Sequence, residues 1–210
     1  MTDLVLKPTP LQNSDSLLVL ASGSVTRRHL LNSAGLSCSV MPPDLDETEL
    51  KQKGSAEGWS AAEIALRLAE AKALAVQKPD AFVIGADQVL SCNGTLYDKP
   101  ASINAARQQL EALRGQTHTL HTAVVVCHQG QVVWHHVAEP KLTMRAFSSL
   151  FLEAYLAEEG TRCLSSVGAY RVEGPGLHLF ERIEGEYAAI LGLPLFPLLH
   201  ALRDRGVILS

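Results

Sequence analysis

The 210-residue sequence predicts a single α/β domain built on a mixed β-sheet, and three observations carry that reading. Short apolar, strand-like runs alternate with segments of helical period, as in layered α/β folds. Two of those runs fold back on themselves as hairpins, so antiparallel pairs must sit beside any parallel ones. A 47% hydrophobic composition over this length supports one well-buried core in a single two-lobed domain.

Residues 1–16, "MTDLVLKPTPLQNSDS", read as a flexible leader, and the domain is expected over 17–210. "LLVLA" is a short strand. It feeds a helix capped by Ser24, with Leu30, Leu31 and Ala34 at helical spacing and Gly35 as the stop. "PPDLDETEL" reads as an acidic, proline-led loop. Ser60 and Glu63 form a capping box for a helix to about Gln77, on which Ala65, Leu68, Lys72 and Ala75 share one face. "AFVIGADQVLSCNGTLYDKP" is a hairpin around Asn93-Gly94, and Ser102 caps the next helix, which runs to Arg114. A second hairpin turns near Gln129-Gly130. A helix after Ser148-Ser149, strands in "AYRVE" and "LHLFERIE", and a closing helix in "LPLFPLLHALRDRG" complete the prediction.

A net charge of −4 lacks the basic face of a general nucleic-acid binder, although a local basic pocket is compatible with it. Four scattered cysteines without a C-x-x-C pair fit reduced thiols better than a disulfide framework. No apolar run reaches membrane-spanning length, and the first residues lack a secretory h-region. A soluble, cytoplasmic protein with no membrane partner is expected, and "NGT" at 93–95 is then a turn rather than a glycosylation acceptor.

Arg27 and Arg28 pose a problem of charge. They fall in the first turn of a helix, where the macrodipole and unpaired N–H groups disfavour cations. A strand, a small-residue turn with Ser22, Gly23 and Ser24, and a helix start together make an anion site, and arginines there favour a phosphate. The competing reading is that both arginines pair with acids elsewhere. Asp87 follows the buried-looking "FVIGA", where a carboxylate needs a partner. Lys99 lies across the hairpin, but in a strict two-residue turn it faces Gln88, so Asp87 and Lys99 share a site only if the strand bulges or ends there. "DLDE" offers Asp44, Asp46 and Glu47 as hard oxygen donors suited to Mg²⁺ or Mn²⁺, or else a solvated acidic loop. Lys72 on an apolar face is expected by default to snorkel. His118 and His121 point to opposite faces of their strand, as do His135 and His136, which speaks against zinc. No P-loop, G-x-G-x-x-G or G-x-S-x-G motif occurs.

Taken in order, "LVLASGSVTRRHLLNSAG", "DLDE", "LAEAKA", "IGADQVL", "DKP", "LRGQTHTLHTAVVV", "VGAYRVEGPG" and "IEGEYAAILGLPLFPLL" resemble the Maf (septum formation inhibitor-like) family of nucleotide pyrophosphatases. The resemblance covers nearly all the chain after residue 16. It implies an elongated mixed sheet flanked by helices, with a cleft between two lobes. It also implies hydrolysis of a nucleoside triphosphate between the α and β phosphates, assisted by a divalent cation (Mg²⁺ or Mn²⁺). In that setting Ser22, Arg27, Arg28, Lys72 and Lys99 bind phosphate, Glu47 and Asp87 bind the metal, and Asp87 is the general base or water-orienting carboxylate. A homodimer is implied as well.

The family divides by base, and Asp87-Gln88 with Glu173-Gly174 resembles the 7-methyl-GTP branch. Chemistry agrees: guanine's N1–H and N2–H suit a carboxylate such as Glu173, a pairing worth ~1–3 kcal/mol of discrimination. Thr26 departs from that branch, which usually carries there an aromatic able to stack on a cationic base. Thr26, Gln88 and Glu173 are therefore the expected base-specificity positions. A dTTP/UTP or broad pyrophosphatase stands as the alternative, as does a nucleotide-binding regulator of cell division.

Overall fold

The computed structural model describes residues 9–210. Among these, eight strands form one sheet: β1 (Leu17–Leu20), β2 (Ser39–Val40), β3 (Ala81–Cys92), β4 (Thr95–Tyr97), β5 (Thr117–His128), β6 (Gln131–Ala138), β7 (Lys141–Met144) and β8 (Phe180–Glu184). The order is β2-β1-β3-β5-β7-β8, with β4 also beside β3 and β6 also beside β5. β1 pairs in parallel with β2 and β3, and every other pairing is antiparallel. The sheet is mixed, as the hairpins required.

β3 and β5, 12 residues each, run side by side from Val83↔Cys127 to Ser91↔Thr119 and extend the sheet through the whole molecule. Strand alternation sorts their side chains. Ile84 and Ala86, with Val124 and Val126, pack with Leu31 of α1 (Val25–Ser33) and with Leu198 and Leu202 of α7 (Leu195–Asp204). Val83 and Val89, with Ala123 and Val125, pack with Ile64, Leu68 and Ala69 of α3 (Ala61–Ala75). Further along, Leu90 and Cys92 join Leu110 and Leu113 of α4 (Ile103–Leu113) and Leu152 and Leu156 of α5 (Ser149–Glu159) in another cluster.

Gly85 sets how close α3 lies to the sheet. A Cβ there would meet Ala69 O at 2.2 Å and Ala73 Cβ at 2.8 Å, so only glycine allows this approach. Asn93 and Gly94 have φ of 50° and 79°, as a tight hairpin turn requires, and Gln129-Gly130 repeats the arrangement at 52° and 75°.

Four regions differ from the sequence reading. The acidic loop is instead the lead-in to α2 (Glu47–Glu57), whose N-terminus Asp46 caps by accepting from the Thr48 and Glu49 amides. Only Gly54 is buried on α2, so the helix carries no apolar stripe for periodicity to detect. "AYRVE" is not a strand: Ala169 takes φ 58° and the chain turns at 172–174, with the Gly174 amide bonded to Arg171 O. β8 begins only at Phe180, after a 3-10 helix over Pro175–Leu179, and a short α6 (Tyr187–Ile190) precedes the closing helix. Of the expected leader, residues 1–8 lie outside the described residues. Residues 9–16 are tied down, with Gln12 bridging to Ile208 and the Leu209 amide bonded to Leu11 O. Among the described residues no helix is long and apolar enough to cross a membrane.

Candidate active site

On its side away from β5, β3 pairs with β1 only as far as Ile84 and with β4 only from Leu90 onward. Between them the strand edge is open, and a cleft of about 790 Å³ is lined there by Asp87 and Gln88. A gap between a parallel and an antiparallel neighbour exposes backbone groups that need partners. Arg27 supplies one. Its guanidinium donates from Nη1 to Ala86 O (2.8 Å) and Ser22 Oγ (3.1 Å), and from Nε to Gly192 O (2.8 Å). Burial pulls its pKa below the ordinary value, while the charges of Asp87 and Glu47 pull it back up. The helix start is meanwhile satisfied by Ser24, whose hydroxyl accepts from the Arg27 amide.

Asp87 is 6% exposed and faces α3, on the same side of β3 as Val83, Gly85 and Val89. Its partner there is Lys72, whose Nζ lies 2.5 Å from Asp87 Oδ1 and 2.8 Å from Glu47 Oε1. Lys72 therefore does not snorkel; it clamps two carboxylates from different elements. Burial pushes the Glu47 carboxyl up, but the Lys72 bond and the charges of Lys72, Lys51 and Lys99 outweigh it and hold the pKa below the ordinary range. β4 ends at Tyr97, so Lys99 leaves the ladder and reaches the same cleft as Asp87. The convergence that the sequence left open occurs because the strand stops.

The cleft is also lined by Thr26, Val167, Tyr170, Arg171, Glu173 and Ile190 among others. Gln88 donates from Nε2 to Thr122 Oγ1 (2.8 Å), Ala189 O (3.1 Å) and Ile190 O (3.1 Å), so its amide nitrogen anchors α6 and its Oε1 is what it can offer a ligand. Glu173 is exposed on the turn after Arg171.

Two expected phosphate ligands lie elsewhere. Ser22 is 7% exposed, does not line the cleft, and acts by accepting from Arg27 and from the Ser24 amide. Arg28 is exposed, lies outside the residues lining the cleft, and interacts with Cys38. Sequence reasoning also missed Lys51 and Arg171, both of which line the cleft. Lys51 sits on α2 and bonds Asp98 at 2.5 Å. Its signal was hidden with that helix, and Arg171 was hidden in a segment read as a strand.

Comparison with known proteins identifies the family of the chain. Residues 17–205 match the family model described as Maf-like protein. A nucleoside triphosphate pyrophosphatase of Gluconobacter oxydans is 47% identical over 91% of this chain and 96% of its own. One from Granulibacter bethesdensis is 50% identical over 89% and 96%. A 7-methyl-GTP pyrophosphatase of Rhizobium meliloti is 46% identical over 91% and 98%. A more distant solved structure, a HAM1 protein from Coxiella burnetii, has a TM-score of 0.44 at 15% identity, covering 63% of this chain and 74% of that one. With almost the whole described chain matched and nearly half its residues shared, the protein belongs to the Maf-like family.

Proposed function

We propose that the protein hydrolyses nucleoside triphosphates between the α and β phosphates, releasing a nucleoside monophosphate and pyrophosphate, with a guanine-type base such as 7-methylguanine favoured. The observation that carries this reading is the pairing of Asp87 and Glu47 through Lys72, in a cleft that Arg27 and Lys99 also line. Relatives named nucleoside triphosphate pyrophosphatase and 7-methyl-GTP pyrophosphatase support it.

Arg27 and Lys99 bind and neutralise the polyphosphate. Three N–H donors of Arg27 are committed to protein acceptors, which fixes the guanidinium plane before substrate arrives. Asp87 accepts a proton from water. The water oxygen attacks the α-phosphorus, the bond to the bridging oxygen breaks, and pyrophosphate leaves with that electron pair. Lys72 orients Asp87 and balances its charge in the middle of a buried strand.

A divalent cation fits the donor set. Two hard carboxylate oxygens, from Glu47 and Asp87, already converge on one cationic point, the Lys72 ammonium. Among the described residues no group of three His, Cys, Asp or Glu could hold an ion alone, so substrate phosphates would have to complete the coordination. When bound there, Mg²⁺ or Mn²⁺ would supply charge neutralisation and a more acidic water. Glu173 and the Gln88 Oε1, both on the cleft lining, would accept from the donor edge of guanine, and Thr26, also on the lining, has no ring to stack on it.

The test is pyrophosphate release from 7-methyl-GTP, GTP, dTTP, UTP and CTP with Mg²⁺ or Mn²⁺. Release mainly from 7-methyl-GTP is expected. Release mainly from dTTP and UTP would keep the reaction and overturn the base assignment. Binding without release from any nucleotide would favour a regulatory protein.

A further inference from the structure

Beside the cleft, the polar pair of Glu159 and Arg171 is left over from the chemistry above. Glu159 is 1% exposed and closes α5; its Oε2 accepts from Arg171 Nε at 2.9 Å and its Oε1 from Arg171 Nη2 at 3.1 Å. Both carboxylate oxygens are thereby taken up by the planar fork of one guanidinium. The chain around the pair is shaped to it. A Cβ at Gly174 would lie 3.3 Å from Arg171 Nη2 and 3.5 Å from Glu159 Oε1, and one at Gly176 would lie 2.5 Å from Arg171 O. The glycine of the Glu173-Gly174 pair thus leaves room for the partly buried Glu159–Arg171 pair, which its φ of −143° would not by itself require.

Burying a carboxylate is costly, and a loop can be anchored with apolar side chains instead. The location suggests a use for the charge. Arg171 lines the cleft two residues before Glu173, which lines it too. An unheld guanidinium so placed would pair with the exposed Glu173 carboxylate and occupy the oxygens that guanine's N1–H and N2–H need.

We propose that Glu159 is a positioning residue for base recognition: it holds the Arg171 guanidinium back from Glu173, so that the Glu173 carboxylate remains free for the base. With Arg171 balanced from below, this end of the cleft keeps the negative charge of Glu173, which suits a donor-rich or cationic purine. This role rests on the base reading proposed above, and its test separates the two.

The variants are Glu159→Met, which removes the acceptors at similar length, and the double variant Glu159→Met/Arg171→Met, which removes both partners of the Glu159–Arg171 pair and leaves Arg162 to its Glu158 partner. The first readout is the kcat/KM ratio for 7-methyl-GTP over dTTP, expected to fall roughly tenfold in E159M, the scale of one bidentate base contact. It should return toward the wild-type value in the double variant. The second is the carboxyl ¹³C NMR titration of Glu173, assigned with Glu173→Gln. The Glu173 pKa should drop in E159M, as Arg171 moves onto it, and recover in the double variant. Should E159M not fold, Glu159→Gln keeps one acceptor for Arg171 and should move both readouts the same way by less. A Glu173 titration unchanged by loss of Glu159, or a ratio that collapses in the double variant, overturns the proposal. A wild-type preference for dTTP overturns only the base assignment, and the NMR titration still decides what Glu159 does.

Discussion

At the proposed phosphate end of the cleft, Lys99 comes from the segment after β4, while the other side chains project from β3, α1, α2 and α3 and are oriented by a partner on another regular element: Asp87 by Lys72, Glu47 by Lys72, Arg27 by the Ala86 carbonyl. At the base end, residues 166–174 form neither strand nor helix. That segment is pinned from behind by buried polar side chains. Gln109 donates to Val167 O, Tyr155 donates to Ala169 O at 3.1 Å, His118 Nε2 bonds Tyr170 OH at 2.7 Å, and Glu159 holds Arg171. One end takes its geometry from the sheet, while the other takes it from anchors that reach into the α4–α5 core. Under the proposed function, the contrast would let such a scaffold keep its hydrolytic chemistry while the loop that borders the base changes, since loop anchors vary without disturbing β3 or α3.

The largest expected effect breaks the phosphate end alone. Asp87→Asn should lower kcat by about 10²–10⁴-fold, the range for a general base, while nucleotide affinity by calorimetry stays within a few-fold. Retained turnover would remove Asp87 from the reaction.

Gly85→Ala attacks the same end through packing. With the Ala69 carbonyl 2.2 Å from the new Cβ, α3 must move off β3, at a cost near the top of the ~1–3 kcal/mol overpacking range. A melting temperature lower by roughly 6–12 °C is expected for a chain of this size, together with reduced activity as Lys72 separates from Asp87. An unchanged melting curve would mean the close approach is not needed.

The base end should respond to pH. Burial lowers the His118 pKa from 6.5 to about 4, and its Nδ1 has no partner. The folded protein therefore keeps His118 neutral where the unfolded chain takes up a proton. Its contribution is complete above pH 6.5 and is lost as pH falls from 6.5 toward about 4, by up to ~3 kcal/mol. Chemical denaturation at several pH values should show wild type losing stability across that window, and His118→Asn losing less. Parallel curves would exclude His118 as the source.

Tyr155→Phe should have the smallest effect, removing one hydrogen bond to the Ala169 carbonyl for ~1–2 kcal/mol. Because Ala169 belongs to the base end, KM should rise more than kcat falls. The reverse split would mean that the two ends are mechanically coupled.

Much of this architecture was legible in the chain itself. Ser24 and Ser60 cap their helices as expected, and Ser60 with Glu63 completes its capping box. Lys72 on an apolar stripe was expected by default to snorkel; its pairing with Asp87 and Glu47 shows that the stripe ends at two carboxylates from other elements. α2 escaped because a polar helix has no period to read, and its position rests on Glu47–Lys72 and Lys51–Asp98 pairs between distant segments. "AYRVE" was misread because Tyr and Val favour strands, whereas the positive φ of Ala169 and the path around Arg171 are imposed by tertiary anchors. Ser22 and Arg28 show the same limit: small residues and arginines at a helix start mark an anion site, but which of them faces it depends on where the neighbouring chain runs.

By itself the sequence determined the mixed α/β sheet, the hairpin turns, most of the helices and the residue types suited to polyphosphate chemistry, because caps, turns and hydrophobic period act over a few residues. Only the tertiary structure decided that Lys72 joins Asp87 to Glu47, that β4 ends in time for Lys99 to reach the cleft, and that Arg171 is held by Glu159. The Lys72 and Arg171 pairs are contacts between residues 12 to 25 positions apart, which local propensity cannot encode and packing against a common sheet does.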